Sequence, residues 1–117
     1  MLHQGGCQCG KVRLTAAGAP KLVANCHCKS CRQATCAAFA TYADFDRTAV
    51  RIEGELRAYE SSPGVERLFC GVCGVCGAPI AYLEKAADEI NLHIGVFDAP
   101  ESFRPTEDAH QENRLWP

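Results

Sequence analysis

No run of lysine or arginine crosses this chain, and its 12 basic side chains are outnumbered by 14 acidic ones, for a formal net charge of −2. A balance of that kind offers no electrostatic footprint for a phosphate backbone or an anionic bilayer, so neither nucleic acid nor membrane is expected as a partner. Nowhere do apolar residues run on long enough to span a bilayer. The first residues, MLHQGGCQCG, show no basic segment followed by an apolar one, so no secretory leader is read there and a cytoplasmic protein is expected. Also missing are a long amphipathic helix pattern, a repeat of domain scale and a linker. With 117 residues, the expectation is a single domain over residues 1–117.

What the chain has in excess is cysteine, nine in all. An odd count leaves one thiol over in any complete disulfide scheme, cytosolic thiols are kept reduced, and these cysteines stand too close in pairs for a conventional framework. Metal ligation is the better reading. A chain this short also gains much from a metal, because it buries a smaller share of its surface than a large domain does.

Between the cysteines the sequence reads mostly as short strands. Alternating, β-branched or aromatic patterns cover residues 12–15, 37–42, 50–53, 56–60, 67–69, 80–83 and 90–97, and the segments between them are punctuated by Gly and Pro. The only helical suggestion is a turn or so over residues 29–35. The expected class is mainly β.

The cysteines fall into three groups. Cys70-Gly-Val-Cys73-Gly-Val-Cys76-Gly contains the two-residue spacing of a zinc knuckle twice over, so Cys70 with Cys73 and Cys73 with Cys76 both qualify. The pair Cys73 and Cys76 is preferred because it leads directly into the strand at Ile80, with Cys70 as the alternative. A structural zinc takes four ligands, and Cys7 and Cys9, among Gly5, Gly6 and Gly10, can supply the other two.

The middle group, Asn25-Cys26-His27-Cys28-Lys29-Ser30-Cys31-Arg32, places three thiols within six positions without an equally close fourth. Three ligands from one turn is the arrangement of an open zinc site. Cys36, His27 or the spare knuckle cysteine could close it; His27 lies between two ligating positions and should point away, whereas Cys36 enters an apolar segment. Three thiolates leave the ion a weak Lewis acid, poorly suited to activating water and well suited to holding a sulfur ligand without its proton. The substrate class is then a thiol or thiol adduct. Arg32, by proximity, is the first candidate to bind a substrate carboxylate, ahead of Arg47, Arg57 and Arg67, and His27 is a candidate proton donor. Phe39, Tyr42 and Trp116 read as core, and His93 as a structural histidine.

Gly6-Cys7-Gln8-Cys9-Gly10, then Cys26-His27-Cys28 with Cys31-Arg32, then Glu66-Arg67-Leu68-Phe69-Cys70 with Cys73-Gly74 and Cys76-Gly77, resembles the glutathione-dependent formaldehyde-activating enzyme family. Gly95 to Pro100, Phe103-Arg104-Pro105 and the closing His110 to Trp116 are similar to that family's last strand and tail, so the resemblance runs over nearly the whole chain. It implies a β-tent fold of several small antiparallel sheets organised around two zinc ions per chain. Cys7, Cys9 and the knuckle pair would hold the structural ion, and Cys26, Cys28 and Cys31 the catalytic one. The activity implied is that of a carbon–sulfur lyase acting on S-(hydroxymethyl)glutathione, with glutathione as thiol and formaldehyde as aldehyde. The chain departs from the family in the extra Gly-Val-Cys of the knuckle and in Cys36. The alternative reading is a noncatalytic zinc module that binds a protein partner or carries glutathione. Oligomeric state is left open.

Overall fold

The computed structural model describes residues 1–71 and 76–117. Its strands are β1 (Leu2–Gly6), β2 (Arg13–Ala17), β3 (Leu22–Cys26), β4 (Ala40–Asp46), β5 (Val50–Glu53), β6 (Leu56–Ser62), β7 (Val65–Cys70), β8 (Pro79–Glu84), β9 (Glu89–His93) and β10 (Glu107–Ala109). The one α-helix among the described residues, α1 (Lys29–Thr35), joins β3 to β4. Short 3-10 turns follow β4 and β9 and recur along the tail.

The strands form two sheets. The smaller has the order β1-β2-β5 and is antiparallel throughout. The larger has the order β10-β3-β4-β9-β8-β7-β6, antiparallel except where β10 adds to β3 in parallel. The fold is therefore mainly β, as expected; most pairs of the large sheet join strands consecutive in sequence, and β10 with β3 and β4 with β9 are the long-range ones.

Burial follows from sheet position. In β2 the alternation Arg13-Leu14-Thr15-Ala16 puts Leu14 and Ala16 into the core, while Arg13 is exposed. In β4 five of seven residues are buried, because this strand lies between β3 and β9 and has packing on both faces. At the far edge, β6 is mostly exposed and carries Arg57 and Glu60, charges that discourage further strand pairing. The core between the sheets includes Phe45, Phe97 and Phe103, with the Phe97 and Phe103 rings 4.4 Å apart.

Three strands escape the sequence pattern. Residues 2–6 and 22–26 mix glycine or polar residues into the apolar alternation, and β10, Glu-Asp-Ala, is exposed at every position and held to β3 by backbone pairing. The strand expected over residues 90–97 stops at His93 and turns through Ile94–Val96. That turn lets the backbone at Val96 and Phe97 press against Gly5, where a Cβ would stand 2.2 Å from the Val96 carbonyl oxygen. Gly5 thus serves a close approach between chain segments. The helix expected over residues 29–35 is present with those bounds.

No helix among the described residues is long and apolar enough to cross a membrane.

Candidate metal centres and the cavity beside them

Two groups of thiols form where strands end. In the first, the loop after β1 carries Cys7 and Cys9, β7 ends on Cys70, and Cys76 stands just before β8. The four sulfurs lie within 4.8 Å of one another, with Cys7 and Cys9 3.4 Å apart and Cys9 and Cys70 3.8 Å apart. The loop closes on itself: the Val12 N–H donates to Cys7 Sγ at 3.3 Å, and Gly10 takes a positive φ of 79° that a side chain would resist. Burial alone would raise the Cys7 thiol, but the Val12 N–H and the neighbouring sulfurs bring it down to about 6. Cys73, the preferred knuckle ligand of the sequence reading, lies outside the described residues. Cys70, the alternative, is inside the group and buried.

The second group sits at the junction of β3 and α1. Cys26 ends β3, Cys28 caps the helix by accepting from the Cys31 N–H at 3.3 Å, and Cys31 is the buried residue of the helix. Sγ of Cys26 is 3.6 Å from that of Cys28 and 3.2 Å from that of Cys31. Among the described residues no fourth histidine, cysteine or carboxylate joins them. Cys36 is exposed at the end of α1, in the left-handed conformation, with its sulfur toward the Gln33 carbonyl. Cys26 holds Cys31 down to about 5 despite burial, helped by Tyr42, Cys28 and Arg67, and Cys31 in turn pushes Cys26 up. One negative charge is thus shared by crowded sulfurs that a cation would separate.

Both groups fit zinc. A tetrahedral ion with Zn–S bonds of about 2.3 Å spaces its sulfurs by roughly 3.8 Å, and the separations above scatter around that figure. The chemistry agrees, since deprotonated thiolates are the ligands zinc favours. Four sulfurs would complete the coordination of an ion in the first group, whereas the three of the second, among the described residues, would leave a position open.

The three-sulfur group opens on a cavity of 450 Å³ that also takes in Tyr42, Asp44, Arg67, Tyr82 and Asn91. These residues come from β4, β7, β8 and β9, and meet because β9 is inserted between β4 and β8. Arg67, 5% exposed, donates from Nη1 to the Tyr42 hydroxyl at 3.0 Å and from Nη2 to Ser30 Oγ at 2.8 Å. Its Nη2 also reaches Cys31 Sγ at 3.6 Å, its guanidinium lies over the Tyr82 ring, and its Nε is buried without an acceptor among the described residues. The Tyr42 hydroxyl is 3.5 Å from Cys31 Sγ, and burial together with the Cys31 charge pushes its ionisation up. Farther along the same face, Asn91 donates to Asp44, a buried carboxyl that desolvation lifts to about 6 against the Asn91 hydrogen bond.

The two tentative catalytic residues of the sequence reading lie elsewhere. His27 is buried facing Phe39, with Nε2 2.8 Å from an oxygen of Asp108 on β10. Arg32 donates from Nη1 to the carbonyls of His27 at 2.7 Å and Asn113 at 2.9 Å, so that it pins the tail. Neither lines the cavity with the cysteines. His93, read as structural, is buried and packs on the Tyr42 ring at 4.5 Å, and burial plus the Arg67 charge lower it to about 4. Phe39 and Trp116, read as core, are 42% and 68% exposed. Tyr42, read likewise, is buried but lines the cavity. Arg67, named only behind Arg32 in the sequence reading, and Asp44, which it missed, share a signal: both are charges set inside strands that are otherwise largely apolar.

Comparison with known proteins adds to this geometry. A protein named as an uncharacterized lyase, from Schizosaccharomyces pombe, is 29% identical over 72 residues, which is 62% of this chain and 53% of that protein. The chain thus spans about half the length of that curated relative. A crystal structure of a Rhodobacter sphaeroides protein superposes with a TM-score of 0.70 at 17% identity, covering 91% of this chain and 99% of that one, and so shares the fold. The family model described as glutathione-dependent formaldehyde-activating enzyme matches residues 2–113, and with nearly the full length accounted for, the chain belongs to that family.

Proposed function

We propose that this protein is a zinc-dependent carbon–sulfur lyase type enzyme that makes or breaks the bond between a thiol sulfur and an aldehyde carbon, with S-(hydroxymethyl)glutathione as the adduct. The observation that carries the reading is the contrast between a group of four sulfurs and a group that has three sulfurs among the described residues and opens on a cavity holding Tyr42, Asp44, Arg67 and Asn91. The family match and the lyase-named relative support it.

Cys26, Cys28 and Cys31 would hold the catalytic zinc, and Cys7, Cys9, Cys70 and Cys76 the structural one. When bound, the catalytic ion supplies a place for the substrate sulfur that keeps it a thiolate at neutral pH. In the forward direction a sulfur electron pair forms the S–C bond, the carbonyl π pair moves to oxygen, and that oxygen takes a proton; the reverse returns all three. Tyr42, held by Arg67 beside Cys31, would turn its hydroxyl from Cys31 to donate to this oxygen. Arg67 adds a fixed positive charge in a site sheltered from water, where charge that develops on oxygen is offset most strongly.

An open position has little use in a module that only binds a protein partner, whereas a module that carries glutathione would share it, and turnover separates that module from an enzyme. The test is metal analysis with zinc-edge spectroscopy, with and without glutathione, coupled to the exchange rate between formaldehyde and its glutathione adduct by NMR. Two zinc ions, one gaining a sulfur neighbour on thiol addition, and accelerated exchange are expected. Two unresponsive four-sulfur sites, or exchange no faster than in buffer, would sink the proposal.

A further inference from the structure

We infer that Asp44, held by Asn91, determines specificity in this cavity: it receives a protonated amine at the end of the thiol substrate remote from the sulfur. The inference rests on the thiol reading above and adds to it the recognition of the substrate's far end.

Placement comes first. Ala40, Tyr42 and Asp44 share one face of β4, where Ala40 is paired with Cys26 and Asp44 with Leu22 on one side and Asn91 on the other. Asp44 is therefore four residues along the strand from the register position of Cys26, a span of roughly 13 Å. A short thiol cannot bridge it. A γ-glutamyl thiol such as glutathione has eight bonds between its sulfur and its amine, a reach of roughly 10 Å when extended, and the cysteine and aspartate side chains that lean toward it cover the rest.

The second observation is that the carboxyl lacks a cation. Asp44 is 9% exposed, yet its one hydrogen bond from a side chain among the described residues comes from the Asn91 amide, and no lysine, arginine or histidine forms an ion pair with it. The nearby Lys21 sends its ammonium to Asp46 at 2.7 Å and Glu89 at 3.7 Å instead. A carboxylate shut away from water without a positive partner is costly, and a purely structural link between β4 and β9 would be served as well by a neutral amide. The cost has a purpose if the missing cation arrives with the substrate. Burial and the Glu89 charge hold the group up to about 6, an energetic strain that an ammonium would relieve.

The third is polarity. At the sulfur end of the cavity Arg67 stands against Cys31 and offsets the charge of the sulfurs, whereas Asp44 has no such partner, so the far end is where an uncompensated negative group meets a ligand's amine.

The test uses the full chain loaded with cobalt, whose sulfur-to-metal absorption reports thiol binding at the three-cysteine site. Glutathione, N-acetylglutathione and 3-mercaptopropionate are titrated in turn. On the unmodified protein, glutathione should bind about 10-fold or more tightly than its N-acetyl form, the loss expected of a charged hydrogen bond. Asp44→Asn should bring glutathione to the level of the N-acetyl form while moving the other two thiols less than about 2-fold. Equal binding of glutathione and its N-acetyl form by the unmodified protein, a comparison that needs no variant to fold, overturns the inference and leaves the thiol site standing. So does an Asp44→Asn loss shared equally by all three thiols. If no thiol perturbs the cobalt spectrum, the thiol reading falls and this inference falls with it.

Discussion

Arg67 donates to the Tyr42 hydroxyl at 3.0 Å, and the two groups approach Cys31 Sγ at 3.6 and 3.5 Å. One guanidinium thus fixes the orientation of a hydroxyl and stands beside a thiolate, linking β7, β4 and α1 at the site where chemistry is proposed. Removal of Arg67 should act on rate before it acts on metal content. Arg67→Met is expected to lower kcat by about 100-fold, the scale of losing one preorganised donor, with zinc retained. Arg67→Lys should recover part of that loss but not the two-pronged contact. Exchange kinetics and metal analysis on the same preparations check both.

Tyr42→Phe removes only the hydroxyl. The ring still packs on His93, so the fold should persist, and kcat should fall by roughly 100-fold or more while thiol affinity changes little. A rise in KM with kcat unchanged would assign Tyr42 to binding instead.

The two thiol groups should fail differently. Cys28→Ser is expected to lose one metal ion and all activity in a domain that still shows its near-ultraviolet signature. Cys9→Ser breaks the tie between the loop after β1 and the β7–β8 connection, and should unfold the chain or lower its melting temperature by tens of degrees, since structural zinc contributes directly to folding. Equal unfolding by both variants would mean that both groups are structural.

Asp44 offers a pH test of the same economy. Its pKa in the folded chain is raised from 3.8 to about 6, so its contribution to stability is fully present below the unfolded value and is lost as pH rises through the folded one. Asp44→Asn should therefore be more stable than the parent at pH 7.5, by about 1–3 kcal/mol, with the gap shrinking toward pH 4. Urea denaturation of the zinc-loaded proteins measures it. A variant that is stabilised yet binds glutathione less well is the signature of a residue kept for function.

Arg32→Ala should leave turnover within about 3-fold, because Arg32 ties the tail rather than lining the cavity; the effect should appear in faster amide exchange at Glu107–Ala109 and Gln111–Asn113. A 100-fold loss of activity would return Arg32 to the site.

Much of this protein is legible in its sequence because the relevant information is short in range. Alternation over four to seven residues marks most of the strands, and the ligand groups declare themselves through spacings of one or two residues that geometry permits to share an ion. Where a strand lacks that alternation, as in exposed β10, nothing local distinguishes it from a loop, and only backbone pairing with β3 makes it a strand.

The sequence by itself determined a mainly β chain, a helical turn over residues 29–35, and the grouping of thiols into one set of Cys7, Cys9 and cysteines near residue 70 and another of Cys26, Cys28 and Cys31. Only the tertiary structure decided that Cys70 and Cys76 stand together in the closed group, that Cys36 points away from the open one, and that Arg67, Tyr42 and Asp44 share a cavity with it. The reason is the strand order. Alternation says which side chains share a face within one strand, but which strand lies next to which is settled by the packing of the whole sheet; here β9 enters between β4 and β8, and residues far apart in sequence become the walls of one site.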